Sequence, residues 1–192
     1  MRVDSPALTF IEKIIADRQS PNTTDNDLQM TTQELFNLTV DTIISRIQNS
    51  VGLTQFAHRR AKFEGWLKVE LIDILVRQGQ NALPEIERID VSFDTVGIEL
   101  KTVNTNIRYP NVINTTRPIT KNINGVIEDI ENLRKTNFNY KFVVFIVFPI
   151  THDNNIWQTH LERITNNLEN YLYRQFNFGD NIPGVIYYGQ VI

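Results

Sequence analysis

Two acids and a lysine stand close together in the run RIDVSFDTVGIELKT, between Arg88 and Thr102. Asp90 lies on one side of the turn-forming stretch Asp94 to Gly97, and Glu99 and Lys101 lie on the other. Apolar residues alternate on both sides, which predicts a β-hairpin, because successive strand side chains point to opposite faces. Pairing Phe93 with Ile98 across the turn sets Ser92 opposite Glu99, Val91 opposite Leu100 and Asp90 opposite Lys101. Ile89, Val91, Phe93, Ile98 and Leu100 then share one apolar face, and Asp90, Ser92, Glu99 and Lys101 share the other. A slip of one residue would scatter the apolar set. Carboxylates this close repel unless a cation lies between them, and their hard oxygens suit Mg²⁺ or Mn²⁺. A neighbouring lysine can orient or deprotonate a water, or stabilise negative charge developing on a phosphate. The alternative is a solvated hairpin face with a cross-strand Asp90–Lys101 ion pair, a common and individually weak arrangement.

The segment before the hairpin bears on that choice. At about 100° per residue, Phe63, Leu67, Leu71 and Ile74 form one helical stripe, flanked by Trp66 and Leu75. Glu70 falls near the middle of the stripe, Glu64 at one edge and Asp73 on the other flank. A carboxylate buried among apolar groups needs a cation, either a metal or an Arg or Lys. Glu70 is therefore a candidate to join the hairpin acids, with a salt bridge as the alternative.

These residues must be positioned by a particular set of elements. A short helix is expected over Pro6 to Arg18, then a linker-like stretch, Gln19 to Gln29. The next helix starts near Thr31, where Thr31 and Glu34 have capping-box spacing, and ends at Asn49 to Gly52. A longer helix is predicted from about Thr54 to Gln78, stopped by Gly79. The hairpin over Ile89 to Val103 follows, then a helix near Thr120 to Lys135. Phe142 to Phe148 is almost wholly apolar and reads as a central strand buried on both faces. A helix over about Asn155 to Phe176 and a strand over Gly184 to Val191 complete the chain. Strands joined through helices can lie parallel, so the expected fold class is α/β: a mixed four-stranded sheet flanked by helices.

Asp90, a hairpin turn and then Glu99-Leu100-Lys101 resemble the motif of the PD-(D/E)xK nuclease superfamily, the restriction-endonuclease-like fold. The family core runs helix, three strands, helix, strand, and the reading from about Thr54 onward is similar to it. The resemblance implies a core over residues 53–192 with an N-terminal helical extension over residues 1–52. It implies that Asp90 and Glu99 hold Mg²⁺, that Glu70 matches the family's helical glutamate and completes the ligand set, and that Lys101 is the catalytic lysine. Mn²⁺ would substitute. Ile89 stands where the family's proline would be. The implied activity is hydrolysis of DNA phosphodiester bonds by a restriction- or recombination-type endonuclease. DNA is the expected partner, and a homodimer is expected because symmetric cutting of two strands takes two sites. A DNA-binding or regulatory protein that keeps the fold without turnover is the competing expectation. An interaction domain that binds no nucleic acid is a third.

The rest of the sequence narrows the alternatives. The 192 residues suit one domain with a real core, with 41% hydrophobic and 21% charged residues. The absence of cysteine excludes disulfides, thiolate metal sites and a cysteine nucleophile. His58, His152 and His160 lack the spacing of a metal site, and Ser92 lacks partners for a hydrolase triad. No glycine-rich phosphate loop is present. No apolar run is long enough to span a bilayer or serve as a signal peptide, so no membrane partner and a cytoplasmic location are expected. The net charge of −3 argues against a protein that coats nucleic acid. It leaves room for a local basic face built from His58, Arg59, Arg60, Lys62, Arg108, Arg117 and Lys121, beside a long polar stretch from Thr102 to Pro118. Trp66 and Trp157 read as core residues.

Overall fold

The computed structural model describes residues 30–114 and 118–192. The helix expected over Pro6 to Arg18, the linker over Gln19 to Gln29, and Arg117 lie outside the described residues. Among the described residues the elements are α1 (Thr32–Gln48), α2 (Val51–Arg59), α3 (Glu64–Arg77), β1 (Leu83–Ile86), β2 (Ile89–Phe93), β3 (Val96–Asn104), α4 (Ile119–Arg134), β4 (Tyr140–Phe148), α5 (Asn155–Thr165), β5 (Leu168–Asn177) and β6 (Pro183–Val191). The strands form one six-stranded mixed sheet in the order β1-β2-β3-β4-β6-β5. The fold is α/β as expected, but the sheet has six strands, not four.

The apolar β4 run explains the layering. Phe142, Val144, Ile146 and Phe148 pack into a cluster with the buried stripes of α1 and α3. Val143, Phe145 and Val147 pack with Ile123, Val126 and Ile130 of α4 and Trp157, Leu161 and Ile164 of α5. A strand with both faces covered has no place for polar alternation, which is why its sequence is continuous rather than alternating. β3 and β4 are parallel, joined through α4. β6 runs antiparallel to β4, because β5 intervenes and forms a hairpin with β6.

Helix α1 begins as the sequence predicts. Thr31 Oγ1 accepts from the Glu34 N–H, and Glu34 Oε2 accepts from the Thr31 N–H, a reciprocal capping box. Its Leu35, Phe36, Val40, Ile43 and Ile47 join the same cluster as α3, so α1 shares the main core. The long helix expected from Thr54 to Gln78 is instead two helices. Ser50 caps α2 by accepting from the Leu53 N–H, and Arg60 ends it in the left-handed region, at φ 53°. The guanidinium of Arg60 is buried against the carbonyls of Thr105, Ile107 and Ile113, and this tertiary demand interrupts a helix that local propensity would continue. The helix expected over Asn155 to Phe176 stops at Thr165, and Leu168–Asn177 is strand β5. Leu168, Leu172 and Phe176 fit a helical spacing and a strand spacing equally, and pairing with β6 decides between them.

The hairpin keeps its faces but shifts its register. Phe93 pairs with Val96 and Val91 with Ile98 across a two-residue turn, Asp94–Thr95. This is two residues away from the pairing expected, and an even shift leaves each side chain on its face. Val91, Phe93, Ile98 and Leu100 lie in the cluster with α3 as expected. Ile89 does not; it packs with the second cluster, where β2 is no longer paired to β3.

Candidate active site

The polar side chains of interest gather where β2 parts from β3. Pairing along that edge ends at Val91↔Ile98, so later N–H groups of β3 on that side need other acceptors. Two carboxylates supply them. Asp90 Oδ2 accepts from the Leu100 N–H at 2.9 Å, and Glu64 Oε1 accepts from the Thr102 N–H at 3.0 Å. Glu99 and Lys101 lie between and beside these contacts on β3. The helices of both layers reach this edge: α3 contributes Glu64 and Lys68, and α4 contributes Asp129.

The structure therefore brings Asp90, Glu99 and Lys101 together. The cross-strand Asp90–Lys101 ion pair of a solvated hairpin does not form. Asp90 Oδ1 lies 2.7 Å from Lys68 Nζ, which also meets Glu85 of β1. Lys101 Nζ lies 2.6 Å from Asp129 Oδ2, an atom that is buried and has no other polar partner among the described residues. Glu99 is only 9% exposed, and its carboxyl faces that of Asp90 closely enough to hydrogen-bond.

Glu70, the fourth residue expected here, is held elsewhere. Its carboxylate pairs with Arg46 of α1, whose other nitrogen lies 2.7 Å from Asp73. The apolar stripe of α3 has two polar flanks. Glu70 and Asp73 occupy the flank that meets α1, whereas Glu64 and Lys68 occupy the flank that meets the open edge of β3. The glutamate that α3 delivers to the site is thus Glu64. Sequence reasoning missed Glu64, Lys68 and Asp129. For Glu64 and Lys68 the available signal was an i, i+4 pair on one flank of the stripe. For Asp129 it was an acid beside the core residues Val126 and Ile130 of α4.

The electrostatics follow from burial. Burial, then the hydrogen bond to Asp90 and the negative charges of Asp90 and Asp129, push the Glu99 carboxyl up to about 9, against the pull of Lys101. Burial also acts to raise Asp90, but the hydrogen bonds from Glu99, Lys68 and the Leu100 N–H outweigh it and hold Asp90 below its ordinary value. The two carboxyls therefore share one proton, carried by Glu99. Burial disfavours the Lys101 ammonium, yet the bond to Asp129 and the surrounding carboxylates more than compensate, so Lys101 stays charged. Asp129 is itself raised, by burial first and by Asp90 and Glu64, with Lys101 opposing.

A cation beside Asp90 and Glu99 would relieve the repulsion that an ionised Glu99 meets there. Among the described residues no three His, Asp or Glu side chains stand together as a ready-made metal cage. Two carboxylates nonetheless fit Mg²⁺, which commonly takes one or two protein carboxylates and fills its octahedron with waters and substrate phosphate oxygens.

The proton on Glu99 has a stability consequence whose sign is fixed. Below its ordinary value of 4.5 the group is protonated in folded and unfolded chains alike. Between 4.5 and about 9 the folded chain keeps a proton that the unfolded chain has released, so the contribution of Glu99 to stability declines as pH rises through that window. Glu99→Gln retains a hydrogen-bond donor toward Asp90 and removes the charge. In the presence of a chelator at about pH 8, Glu99→Gln should melt about 3–6 °C above wild type, corresponding to about 1–2 kcal/mol, with the gap closing at about pH 5. Thermal unfolding monitored by circular dichroism checks this, and a variant less stable than wild type at about pH 8 would contradict the shared-proton arrangement.

Several of the basic residues prove structural. Arg60 is buried and spends its guanidinium on three carbonyls, and burial lowers its pKa from the ordinary value. His58 meets Asn111 O at 2.6 Å through Nδ1 and Asp180 Oδ2 at 2.7 Å through Nε2. Both neighbours are acceptors, the Asn111 carbonyl first, and they raise the imidazole above its ordinary value. These two residues fasten the polar stretch after β3 to α2 instead of presenting charge to a phosphate. Arg59, Lys62, Arg108 and Lys121 are exposed. Trp157 is fully buried, with its indole N–H donating to Tyr187 Oη at 2.6 Å, while Trp66 is half-buried beside Phe63.

Comparison with protein-family models, curated proteins and solved structures gives no match. Among the described residues, no helix is long and apolar enough to cross a membrane.

Proposed function

We propose that this protein is a Mg²⁺-dependent endonuclease that hydrolyses DNA phosphodiester bonds, with a restriction-endonuclease-like core around β2, β3 and β4. The observation that carries the reading is the convergence of Asp90, the buried Glu99 and Lys101 at the open edge of β3, with Asp129 holding the lysine. Asp90 and Glu99 would hold Mg²⁺, and Glu64 replaces Glu70 as the glutamate from α3 nearest the group. The ion supplies positive charge at the phosphate when bound. Lys101 acts beside it. Lys101, whose ammonium Asp129 holds in place, would donate hydrogen bonds to the attacking water or to the phosphate oxygens as negative charge builds. Asp129 fixes the direction of that ammonium. A homodimer carrying two such sites belongs to the same proposal.

The ion pair between Lys68 and Asp90 favours a second reading, in which an internal ammonium replaces the metal and the fold binds DNA without cutting it. One experiment separates the two. Wild-type protein is incubated with supercoiled plasmid and millimolar Mg²⁺ or Mn²⁺, and Mn²⁺ binding is followed in parallel by electron paramagnetic resonance. Metal-dependent nicking supports the endonuclease. DNA binding without Mn²⁺ binding or nicking supports the silent protein and ends the catalytic reading.

A further inference from the structure

A cleft of about 560 Å³ opens beside Lys101, at the start of α4. That volume suits a small polar ligand or a segment of a larger one. Three lysines from three elements converge on it: Lys62 from the turn between α2 and α3, Lys101 from β3 and Lys121 from α4. One acid, Glu128, lines it with them. The chain as a whole carries −3. An anion in this cleft would meet the ammonium groups of three lysines, whose neighbouring acids are Glu128 in the lining, Glu64 beside Lys62 and Asp129 beside Lys101.

The rest of the lining also donates. Asn124, whose Oδ1 accepts from Arg163 at 2.9 Å, contributes an amide to the lining. Thr120 contributes a hydroxyl. Helix α4 begins at Pro118 without a side-chain cap, so its first N–H groups add donors and partial positive charge at the cleft's rim. Gly125 of α4 passes close beside Lys101. A Cβ there would sit 3.5 Å from Lys101 Cε, in direct van der Waals contact with the lysine stem.

The cleft is also continuous with the carboxylate group. Lys101 belongs to both. Lys62 lies 3.4 Å from Glu64 and Lys101 2.6 Å from Asp129, so the lysines and the acids form one charged surface. We infer that this cleft binds a backbone phosphate of a nucleic-acid strand, the one adjoining the phosphate placed at Asp90 and Glu99. The inference rests on the endonuclease reading for its direction, and on the cleft's own chemistry for phosphate as the ligand. It gives Lys62 and Lys121 a positioning role that neither has in the fold.

Three measurements on the full chain test it. Inorganic phosphate is titrated into ¹⁵N-labelled protein while the amides of Ile119 to Asn122 are followed by NMR. A short fluorescein-labelled DNA duplex is titrated by anisotropy in a chelator at several salt concentrations. Plasmid nicking is measured with Mg²⁺. Each is repeated with the double variant Lys62→Gln/Lys121→Gln, whose exposed side chains leave the melting temperature unchanged. We expect phosphate to move those amides in wild type and not in the variant. We expect the variant to bind duplex about tenfold or more weakly at about 0.1 M salt, with the salt slope reduced by about two. Wild-type affinity and slope in the variant would overturn the inference, and nicking by wild type in that case would leave the endonuclease standing. Phosphate that leaves the α4 amides unmoved would also overturn it. Phosphate and duplex binding through these lysines, with neither nicking nor Mn²⁺ binding by wild type, would retain the cleft and remove the nuclease. Phosphate binding without duplex binding would overturn the nucleic-acid assignment.

Discussion

Asp90→Asn and Lys101→Met should each lower Mg²⁺-dependent plasmid nicking by about a hundredfold or more, while Glu70→Gln stays within about threefold of wild type. The size follows from where the charges sit. Removing one preorganised donor or charge at a developing oxyanion costs about 10²–10³ in rate in enzymes of many kinds. In the proposed reaction Lys101 would be such a donor, held by Asp129 at 2.6 Å in a partly buried setting where water screens it poorly. Asp90→Asn keeps an oxygen to accept the Leu100 N–H and removes the negative charge that a cation would need, so the loss would not reflect an unfolded hairpin. Glu70 pairs with Arg46 on the other flank of α3, and its amide variant tests whether the two flanks are independent. Nicking rates from gel densitometry, with melting curves for each variant, decide the matter. Equal losses in all three would point to a general loss of structure. Full activity in Lys101→Met would end the role assigned to the lysine.

How much of this arrangement can be read from the sequence depends on what kind of signal each residue carries. The β4 run and the Thr31–Glu34 capping box are local patterns with one physical meaning, and the structure contains both. The polar and apolar faces of the hairpin are also legible, because alternation has period two. Register is not, since a shift of two residues preserves the alternation; only the turn Asp94–Thr95 fixes it. That shift brings Asp90 toward Glu99 and leaves Lys101 to Asp129, so the partners change although the face does not. The choice between Glu64 and Glu70 was equally out of reach. A helical wheel shows which residues flank a stripe but not which neighbour each flank meets, and Arg46 lies on a different helix. Strand β5 was hidden because Leu168, Leu172 and Phe176 satisfy two periods at once. The short β1 carries no buried residue at all. Asp129 is a longer-range case. Its role depends on α4 crossing β3 at Lys101, a fact of topology.

The interruption between α2 and α3 is another such case, and it leads to the largest stability effect expected. Arg60→Met should cost about 3 kcal/mol, lowering the melting temperature by about 6–12 °C. The guanidinium satisfies three backbone carbonyls: Ile113 O at 2.6 Å, Ile107 O at 2.5 Å and Thr105 O. Methionine fills the volume and leaves those acceptors without a donor, and lysine, with one compact ammonium, cannot span all three. The same turn is fastened to β3 by Asn104 Nδ2 donating to Arg60 O at 2.8 Å and by the Phe63 N–H donating to Thr102 Oγ1 at 3.3 Å. Arg60 therefore holds the stretch from Thr105 to Ile113 against α2, and it holds Lys62 and Glu64 beside the open edge of β3. Loosening it should release both together. Amide hydrogen exchange over residues 105–113 should accelerate in Arg60→Met and Arg60→Lys alike, and the Thr102 N–H that Glu64 accepts should lose protection with them. A cost below about 1 kcal/mol, or fast exchange confined to residues 105–113, would mean that the turn reaches the site by other contacts and that Arg60 supports the loop alone.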